Sequence, residues 1–334
     1  MCIRDSLETV SHRLVERLDA VKDDPVIIYG ILDQEAERLY QRIMLDPSGA
    51  ILASISPRFL FAVLLRKARA ELAQRGYTVE RSGLRKVPVF DAEEVVRFLQ
   101  DPEMMEYLTD MLASFTRVES YTITERLTKG VWRKVRYCDL DIEALIRMCR
   151  SIEEEYKFAF LKRAADLCVF IPGMFPDYVP SEDYGRPEGE EPPPYTGGSR
   201  MTAEEYEELG SRFYQLAAEH RDAAELELTE VLWRLKDNVS LARKPLSFIA
   251  DNLLRGGRLH GGLMDMGRTI EAIEQARAAL AQGNLRHLGV LFQQAASGGW
   301  LSRDEIAAGI HESIAARIAT MVGRIQVRDV VVLT

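Results

Sequence analysis

Histidine and cysteine, the residues that most often hold metals in proteins, are scarce in this sequence. It contains five histidines and four cysteines among 334 residues. No histidine stands in an ExxH or HExxH arrangement, and no two cysteines have CxxC spacing. These absences argue against a zinc site, a di-iron carboxylate site and a disulfide framework. We therefore expect no metal or other cofactor, and we expect the cysteines to be buried free thiols.

Local catalytic motifs are missing as well. The sequence has no GxxxxGK[ST] phosphate loop, no GxGxxG after a predicted strand and no GxSxG elbow. Glu153, Glu154 and Glu155, with Asp166, are candidates for acid–base catalysis by paired carboxylates. We favour a solvated helix start, where negative charge complements the helix dipole, and we assign no catalytic residue.

Long apolar runs are also absent. No stretch approaches the roughly 18 consecutive apolar residues that a membrane span requires. The first residues lack the apolar core of a secretory signal, so we expect a cytoplasmic protein without a membrane partner. The opening MCIRDS resembles the spurious leader of reading frames assembled from metagenomes. We therefore expect the real start to lie downstream or to be lost.

Helix signals dominate what the sequence does contain. Ser56-Pro57 and Asp101-Pro102 each pair an N-cap residue with a proline at the first helical position. Capping-box spacing recurs at Asp91…Glu94, Thr202…Glu205, Asp222…Glu225 and Ser302…Glu305. With the helical period of the apolar residues, these signals predict helices near 7–21, 32–45, 57–75, 92–99, 102–116, 140–152, 154–170, 202–219, 223–238, 242–255, 265–282, 286–297 and 303–321.

Three places in the sequence predict β-structure. Hairpins are predicted at Tyr77–Arg81 with Arg85–Phe90 and at Glu119–Leu127 with Val131–Tyr137, and a terminal strand at Ile325–Leu333. The predicted fold class is therefore mainly α (α+β). It consists of a multi-helix domain with one or two β-hairpins and a C-terminal helical unit that ends in a strand.

Two breaks organise the chain. Residues 178–200 are rich in Pro, Gly and Glu, which predicts a long flexible loop. Four glycines in residues 255–262 interrupt the helical pattern. The expected organisation is an N-terminal helix in 1–24, a helical domain over 25–255 and a C-terminal unit over 256–334.

The stretch LKRAADLCVFIPGMFP (161–176), together with EEYEELGSRFYQLAAEH (204–220), resembles a family of uncharacterised bacterial proteins. There, as here, an apolar helix runs into a Gly and Phe-Pro turn and a Tyr-rich helix follows after a variable loop. The resemblance covers about residues 30–255. It implies a shared helical fold and no known activity.

Charge is distributed unevenly along the chain. Residues 58–86 hold eight Lys or Arg and two Glu, and residues 126–136 hold five basic residues and no acid. Residues 177–230 hold fifteen Asp or Glu and four Arg. The net charge of −9 therefore conceals local basic segments that could guide a polyanion or an acidic partner.

The second hairpin carries the candidate binding surface. Its connection, Thr128-Lys129-Gly130, ends in a glycine that suits the left-handed position of a three-residue loop. The resulting register predicts two faces. One face holds the pairs Leu127–Val131, Glu125–Arg133, Ile123–Val135 and Tyr121–Tyr137. The other holds Arg126–Trp132, Thr124–Lys134 and Thr122–Arg136.

The second of these faces sets a tryptophan among cations, where an arginine can lie across the indole ring. The candidate surface comprises Arg126, Lys129, Trp132, Lys134 and Arg136. A helix followed by a basic hairpin resembles a winged-helix wing, which favours nucleic-acid binding. The alternative is that Trp132 packs under a neighbouring helix while the basic residues are solvated.

The leading hypothesis is a non-enzymatic protein–protein interaction or scaffold protein of the bacterial cytoplasm, with an unknown protein partner. It rests on the missing catalytic motifs, the acidic loop, the basic face and the terminal strand without a nearby partner. One alternative is a nucleic-acid-binding regulator that uses the 119–137 hairpin. Another is an enzyme whose site forms only in three dimensions.

Overall fold

The computed structural model describes residues 25–46, 50–82, 85–116, 120–128, 131–176, 179 and 201–254. The helices are α1 (Pro25–Met44), α2 (Ala50–Ser54), α3 (Pro57–Arg75), α4 (Ala92–Gln100), α5 (Pro102–Ser114), α6 (Ile142–Ser151), α7 (Glu154–Met174), α8 (Ala203–Ala218), α9 (Arg221–Glu225), α10 (Thr229–Asp237) and α11 (Val239–Phe248). A π-helical turn (Ile249–Leu253) follows α11, and the strands are β1 (Thr78–Ser82), β2 (Arg85–Val89), β3 (Ser120–Thr128) and β4 (Val131–Cys138).

The predicted fold class, mainly α with β-hairpins, is confirmed for the described part of the chain. Each hairpin is a two-stranded antiparallel sheet, β1 with β2 and β3 with β4. The predicted C-terminal helices, the terminal strand, the 178–200 loop and the helix at 7–21 lie outside the described residues, apart from residue 179.

The described residues fall into two compact units. Residues 120–141, which include the β3–β4 hairpin, belong to a unit separate from the helices. The predicted division into 1–24, 25–255 and 256–334 stays a prediction.

The core of the helical unit is organised around α3 and α7. Consecutive residues from Phe59 to Arg66 of α3 are buried, and so are those from Ala164 to Met174 of α7. A helix that is apolar on all sides must be covered on all sides. Helices α1, α4, α5 and α11 pack on α3, while α6, α8 and α11 pack on α7, so α11 joins the two halves of the core.

Three of the predicted helix starts are confirmed by their caps. The Ser56 hydroxyl accepts a hydrogen bond from the Phe59 amide, and the Asp101 carboxylate accepts from the Glu103 amide. Thr202 and Glu205 form the complete reciprocal capping box. These bonds satisfy amide groups that have no partner within the helix.

Two predicted capping boxes are wrong. The Asp91 side chain makes no cap bond to its own helix and instead accepts from Thr78 and Lys244. His220, rather than Asp222, caps α9, because its Nδ1 accepts from the Asp222 amide at 3.2 Å. In the first case partners distant in sequence compete with the cap, and in the second the residue that immediately precedes the helix takes the cap position.

Helix limits differ from the prediction where tertiary packing overrides local preference. Helix α1 begins at Pro25 rather than 32, although β-branched residues and Gly30 lower the helix propensity of its first turns. Helix α7 continues past 170 through Pro172 to Met174, with that whole last turn buried. The predicted helix at 223–238 is broken at Glu227, whose φ of 57° ends α9 in the left-handed conformation.

Helices α7 and α11 approach each other closely at Gly173. A Cβ atom added at Gly173 would lie 2.7 Å from the Leu246 Cβ and 3.3 Å from the Arg243 carbonyl oxygen. The Leu246 Cβ is fixed to its backbone, so a rotamer change cannot relieve this contact. Glycine at this position is therefore what lets the two helices meet.

We predict that Gly173→Ala lowers the free energy of unfolding by about 1–3 kcal/mol, because the two helices must separate to admit the methyl group. The matched control is Gly30→Ala in α1, where nothing lies within 4 Å of the added carbon. That substitution should raise stability by about 0.5–1 kcal/mol, since alanine is the better helix former. Urea denaturation measures both, and equal effects at the two sites would contradict the packing argument.

Candidate functional site

The backbone of the β3–β4 hairpin confirms six of the seven predicted pairs. Arg126 is paired with Trp132, Thr124 with Lys134 and Thr122 with Arg136. Alternate residues of a strand share a face, so Arg126, Trp132, Lys134 and Arg136 belong to one face of the hairpin. Lys129, the fifth residue of the candidate surface, lies outside the described residues. The other confirmed pairs are Glu125–Arg133, Ile123–Val135 and Tyr121–Tyr137.

The predicted pair Leu127–Val131 is wrong. Val131 is paired with Thr128, and the register shifts between Arg126 and Thr128. This irregularity places one extra residue on β3 beside the turn, which is typical of a β-bulge. The three-residue loop assumed in the prediction leaves no room for that extra residue.

The basic segment identified in the sequence is largely neutralised within the helical unit. Arg58 lies 2.7 Å from a Glu106 oxygen and 2.5 Å from an Asp110 oxygen of α5. Buried Arg66 lies 2.7 Å from Asp33 of α1. The same pattern holds for Arg69–Asp33, Lys67–Glu37, Lys67–Glu71, Arg75–Glu71, Arg81–Asp251 and Lys86–Asp251. The cations of residues 58–86 therefore mostly form ion pairs within the helical unit, and they do not make a free basic face.

A buried charged cluster joins the first hairpin to the helices. The guanidinium of Arg243 in α11 donates to both Glu80 oxygens, at 2.8 and 2.9 Å, and to Glu207 of α8 at 2.6 Å. A buried guanidinium needs such partners, because an unpaired charge away from water is costly. The cluster fixes β1 against α8 and α11.

Asp166 is not the solvated residue that the sequence suggested. It lies in the middle of α7 and is 2% exposed. One carboxylate oxygen accepts from the Tyr107 hydroxyl at 2.7 Å and the Tyr214 hydroxyl at 2.9 Å, and the other accepts from Lys162 at 2.8 Å. Glu153, Glu154 and Glu155, by contrast, are exposed at the helix start, as predicted.

The four side chains of this cluster satisfy one another. Burial, then the nearby Asp166 carboxylate, raises the pKa of Tyr107 and of Tyr214 well above 10, so both stay protonated donors. The neighbouring Cys168 is a buried free thiol whose pKa burial also raises. The Asp166 cluster is therefore a buried hydrogen-bond network, in which side chains of α5 and α8 donate to one carboxylate of α7.

A groove of about 510 Å³ lies between α6 and α8 over the first half of α7. Its apolar surface comes from Ile146 of α6, Leu161 of α7 and Leu209, Phe213 and Leu216 of α8. Its polar lining consists of Cys149, Arg150, Glu154, Lys157, Arg212, Glu219 and His220. We call this the α6–α8 groove, and no member of the Asp166 cluster lines it.

The exposure of Leu216 distinguishes the α6–α8 groove from ordinary core. Leu216 is 49% exposed, although it follows Leu209 and Phe213 at helical spacing on the same helix. In the sequence these residues, with Tyr206, supply the helical period that predicts the helix at 202–219. Their apolar stripe reaches beyond the α7 contact and continues onto the open wall of the groove. The signal of the groove that the sequence offers is the apolar stripe of α8, which is wider than the face that packs on α7.

Charges at the groove differ in how they are paired. Lys157 donates to Glu154 at 2.5 Å, and Glu219 accepts from Gln215 at 2.9 Å. Arg150 on the α6 wall and Arg212 on the α8 wall are exposed and have no ion-pair partner among the described residues. Two cations therefore remain available on opposite sides of the apolar floor.

Neither His220 nor Cys149 has the features of a nucleophile or base. His220 accepts the Asp222 amide at Nδ1, so its Nε2 carries the proton and donates to the Glu154 carbonyl oxygen at 2.9 Å. Burial raises the pKa of the Cys149 thiol to about 11, which keeps it protonated at neutral pH.

Two other kinds of site are not found among the described residues. In these residues no group of three or more His, Cys, Asp or Glu side chains is arranged to hold a metal ion. None of the described helices combines the length and the apolar character that crossing a membrane requires. Comparison of the chain with protein-family models, with curated proteins and with solved structures finds no match.

We predict that Tyr214→Phe lowers the free energy of unfolding by about 1–3 kcal/mol, because the buried Asp166 carboxylate loses one donor. Stability of the wild type should fall as pH rises past about 10, since the unfolded chain then loses tyrosine protons that the folded chain retains. The variant should lose stability less steeply in that range. Urea titrations from pH 8 to 11 measure this, and parallel curves would contradict the assignment.

Proposed function

We propose that this chain is a non-enzymatic protein-interaction protein that receives a helix of a partner protein in the α6–α8 groove. The observation that carries the proposal is the apolar stripe of α8, which leaves the core and ends at exposed Leu216. Exposed apolar surface in a concave site marks binding grooves. The groove runs along existing helices, which favours a ligand whose side chains recur at helical spacing.

The dimensions of the groove agree with a helical ligand. Its apolar α8 wall extends from Leu209 to Leu216, which corresponds to about 10 Å along a helix axis, or two turns. A ligand helix of that length presents apolar residues at i, i+3 or i+4, and i+7. Three or four such side chains would cover Leu161, Phe213 and Leu216.

The test is selection of peptides against the purified protein. A display library of amphipathic helices, with a fixed apolar stripe length and variable residues elsewhere, is panned on the wild type and on Leu216→Asp. Because the leucine is half exposed, the aspartate should leave the melting temperature nearly unchanged while placing a charge in the groove. Peptides that bind the wild type should lose at least tenfold in affinity for this variant by fluorescence anisotropy.

The matched control is Leu45→Asp, which changes a leucine that is 76% exposed and does not line the groove. It should bind the selected peptides as the wild type does. Failure to enrich any peptide, or equal binding by Leu216→Asp, would overturn the proposed function.

Nucleic-acid binding by the β3–β4 hairpin is the second candidate function. The observation in its favour is the register, which gives Arg126, Trp132, Lys134 and Arg136 one common face. Cations interleaved with an aromatic residue are suited to a phosphate backbone with stacked bases. The neutralised basic segment of the helical unit does not support the same function.

Charge reversal tests this second candidate. We predict that glutamate at Arg126, Lys129, Lys134 and Arg136 abolishes binding of a labelled 20-nucleotide DNA strand without changing the melting temperature. Wild-type binding should weaken steeply with salt, because counterions are released when the strand binds. The control places glutamates at exposed cations of the helices: Arg38, Arg42, Arg97 and Arg147. Absence of wild-type binding to DNA and RNA at low salt would remove the hypothesis.

A further inference from the structure

We propose that the helix received by the α6–α8 groove carries carboxylates along both borders of its apolar stripe, an inference that rests on the function proposed above. The partner is then a protein segment in which Asp or Glu flank, on each side, the residues that enter the groove. The inference comes from the positions of Arg150 and Arg212 and from the lack of an ion-pair partner for either within the described part of the chain.

The two arginines stand on opposite walls. Arg150 belongs to the last turn of α6, and Arg212 to the middle of α8, with α7 forming the floor between them. A helix that lies in the groove with its apolar stripe against Leu161 turns one border toward each wall. Each border therefore meets one arginine.

Arginine recognises carboxylates better than any other protein group, since its planar guanidinium matches both oxygens. Elsewhere in the described helical unit, cations that lie near a neighbouring element are met by its acids, as Arg58 is by Glu106 and Asp110. Although Glu154 and Glu219 also line the groove, Arg150 and Arg212 have no ion-pair partners among the described residues. Carboxylates on an incoming helix would supply them.

The net charge of −9 opposes an acidic ligand at long range, but screening limits its reach. At physiological ionic strength the Debye length is about 8 Å, so the charges beside the ligand decide the preference. Among those, Lys157 and Glu154 already neutralise each other. Three cations and two carboxylates line the groove in all, because Glu219 is bonded only to the neutral Gln215, so the lining is net positive by one charge.

The experiment uses the same helical library, with the positions on both borders of the stripe randomised among Glu, Gln and Lys. The wild type should enrich Glu on both borders. The double variant Arg150→Glu/Arg212→Glu should enrich Lys there, and should bind the Glu-bordered peptide about tenfold more weakly, as expected for two solvent-exposed ion pairs. The single variants should each shift only one border.

The matched control is Arg42→Glu/Arg147→Glu, which makes the same change in net charge at exposed arginines outside the groove. It should retain the wild-type preference for Glu. Melting temperatures should be equal for both double variants, because none of the four arginines is ion-paired among the described residues.

The outcomes separate the two claims. Enrichment of Gln or Lys borders by the wild type would overturn this inference and leave the helix-binding function standing. No enrichment at all would overturn both. The remaining possible occupant of the groove is a second copy of this chain, which light scattering tests. If the wild type is a dimer and Leu216→Asp converts it to a monomer, the groove binds the second copy. That result would contradict the proposal of an acidic partner helix.

Discussion

The burial of α7 is the constraint on which the rest of the helical unit depends. From Ala164 to Met174 every residue of this helix is buried, so neighbours must cover it on all sides. Gly173 admits α11 at close range, Gly210 admits α8 against Cys168, and Asp166 is shared by donors from two other helices. Toward the start of α7 this cover opens between α6 and α8. The groove is a consequence of how the central helix is packed.

The polar interactions of the helical unit also differ between its buried centre and the groove. Those at the centre, around Asp166 and Arg243, are closed, with every charged group matched by partners from several elements. Closed clusters of this kind specify which helices pack together, since a missing partner would leave a buried polar group unsatisfied. At the rim of the groove, Arg150 and Arg212 have no such partners among the residues that the structure describes. The buried clusters therefore hold the helices together, whereas the two arginines at the rim of the groove remain exposed.

Local signals in the sequence were sufficient for much of the fold. The Ser56 and Asp101 caps, the Thr202–Glu205 capping box and the hairpin register depend on neighbours in sequence. All were predicted correctly except the Leu127–Val131 pair beside the hairpin turn. Predictions went wrong where a distant partner decides, as for Asp91, which binds Lys244, and for Asp166, which two tyrosines bury. The groove could not be predicted, because the exposure of Leu216 depends on where α6 lies. Its only local trace was an apolar stripe wider than one face.

Amide hydrogen exchange with a selected peptide tests the central claim, that partner helices dock between α6 and α8, most directly. Peptide binding should slow exchange in α6, in α8 and in the first turns of α7, because docking suppresses the local opening of the helices it contacts. Exchange in α1 and in the β1–β2 hairpin should stay unchanged. Protection confined to the β3–β4 hairpin, or spread equally over all helices, would contradict the account.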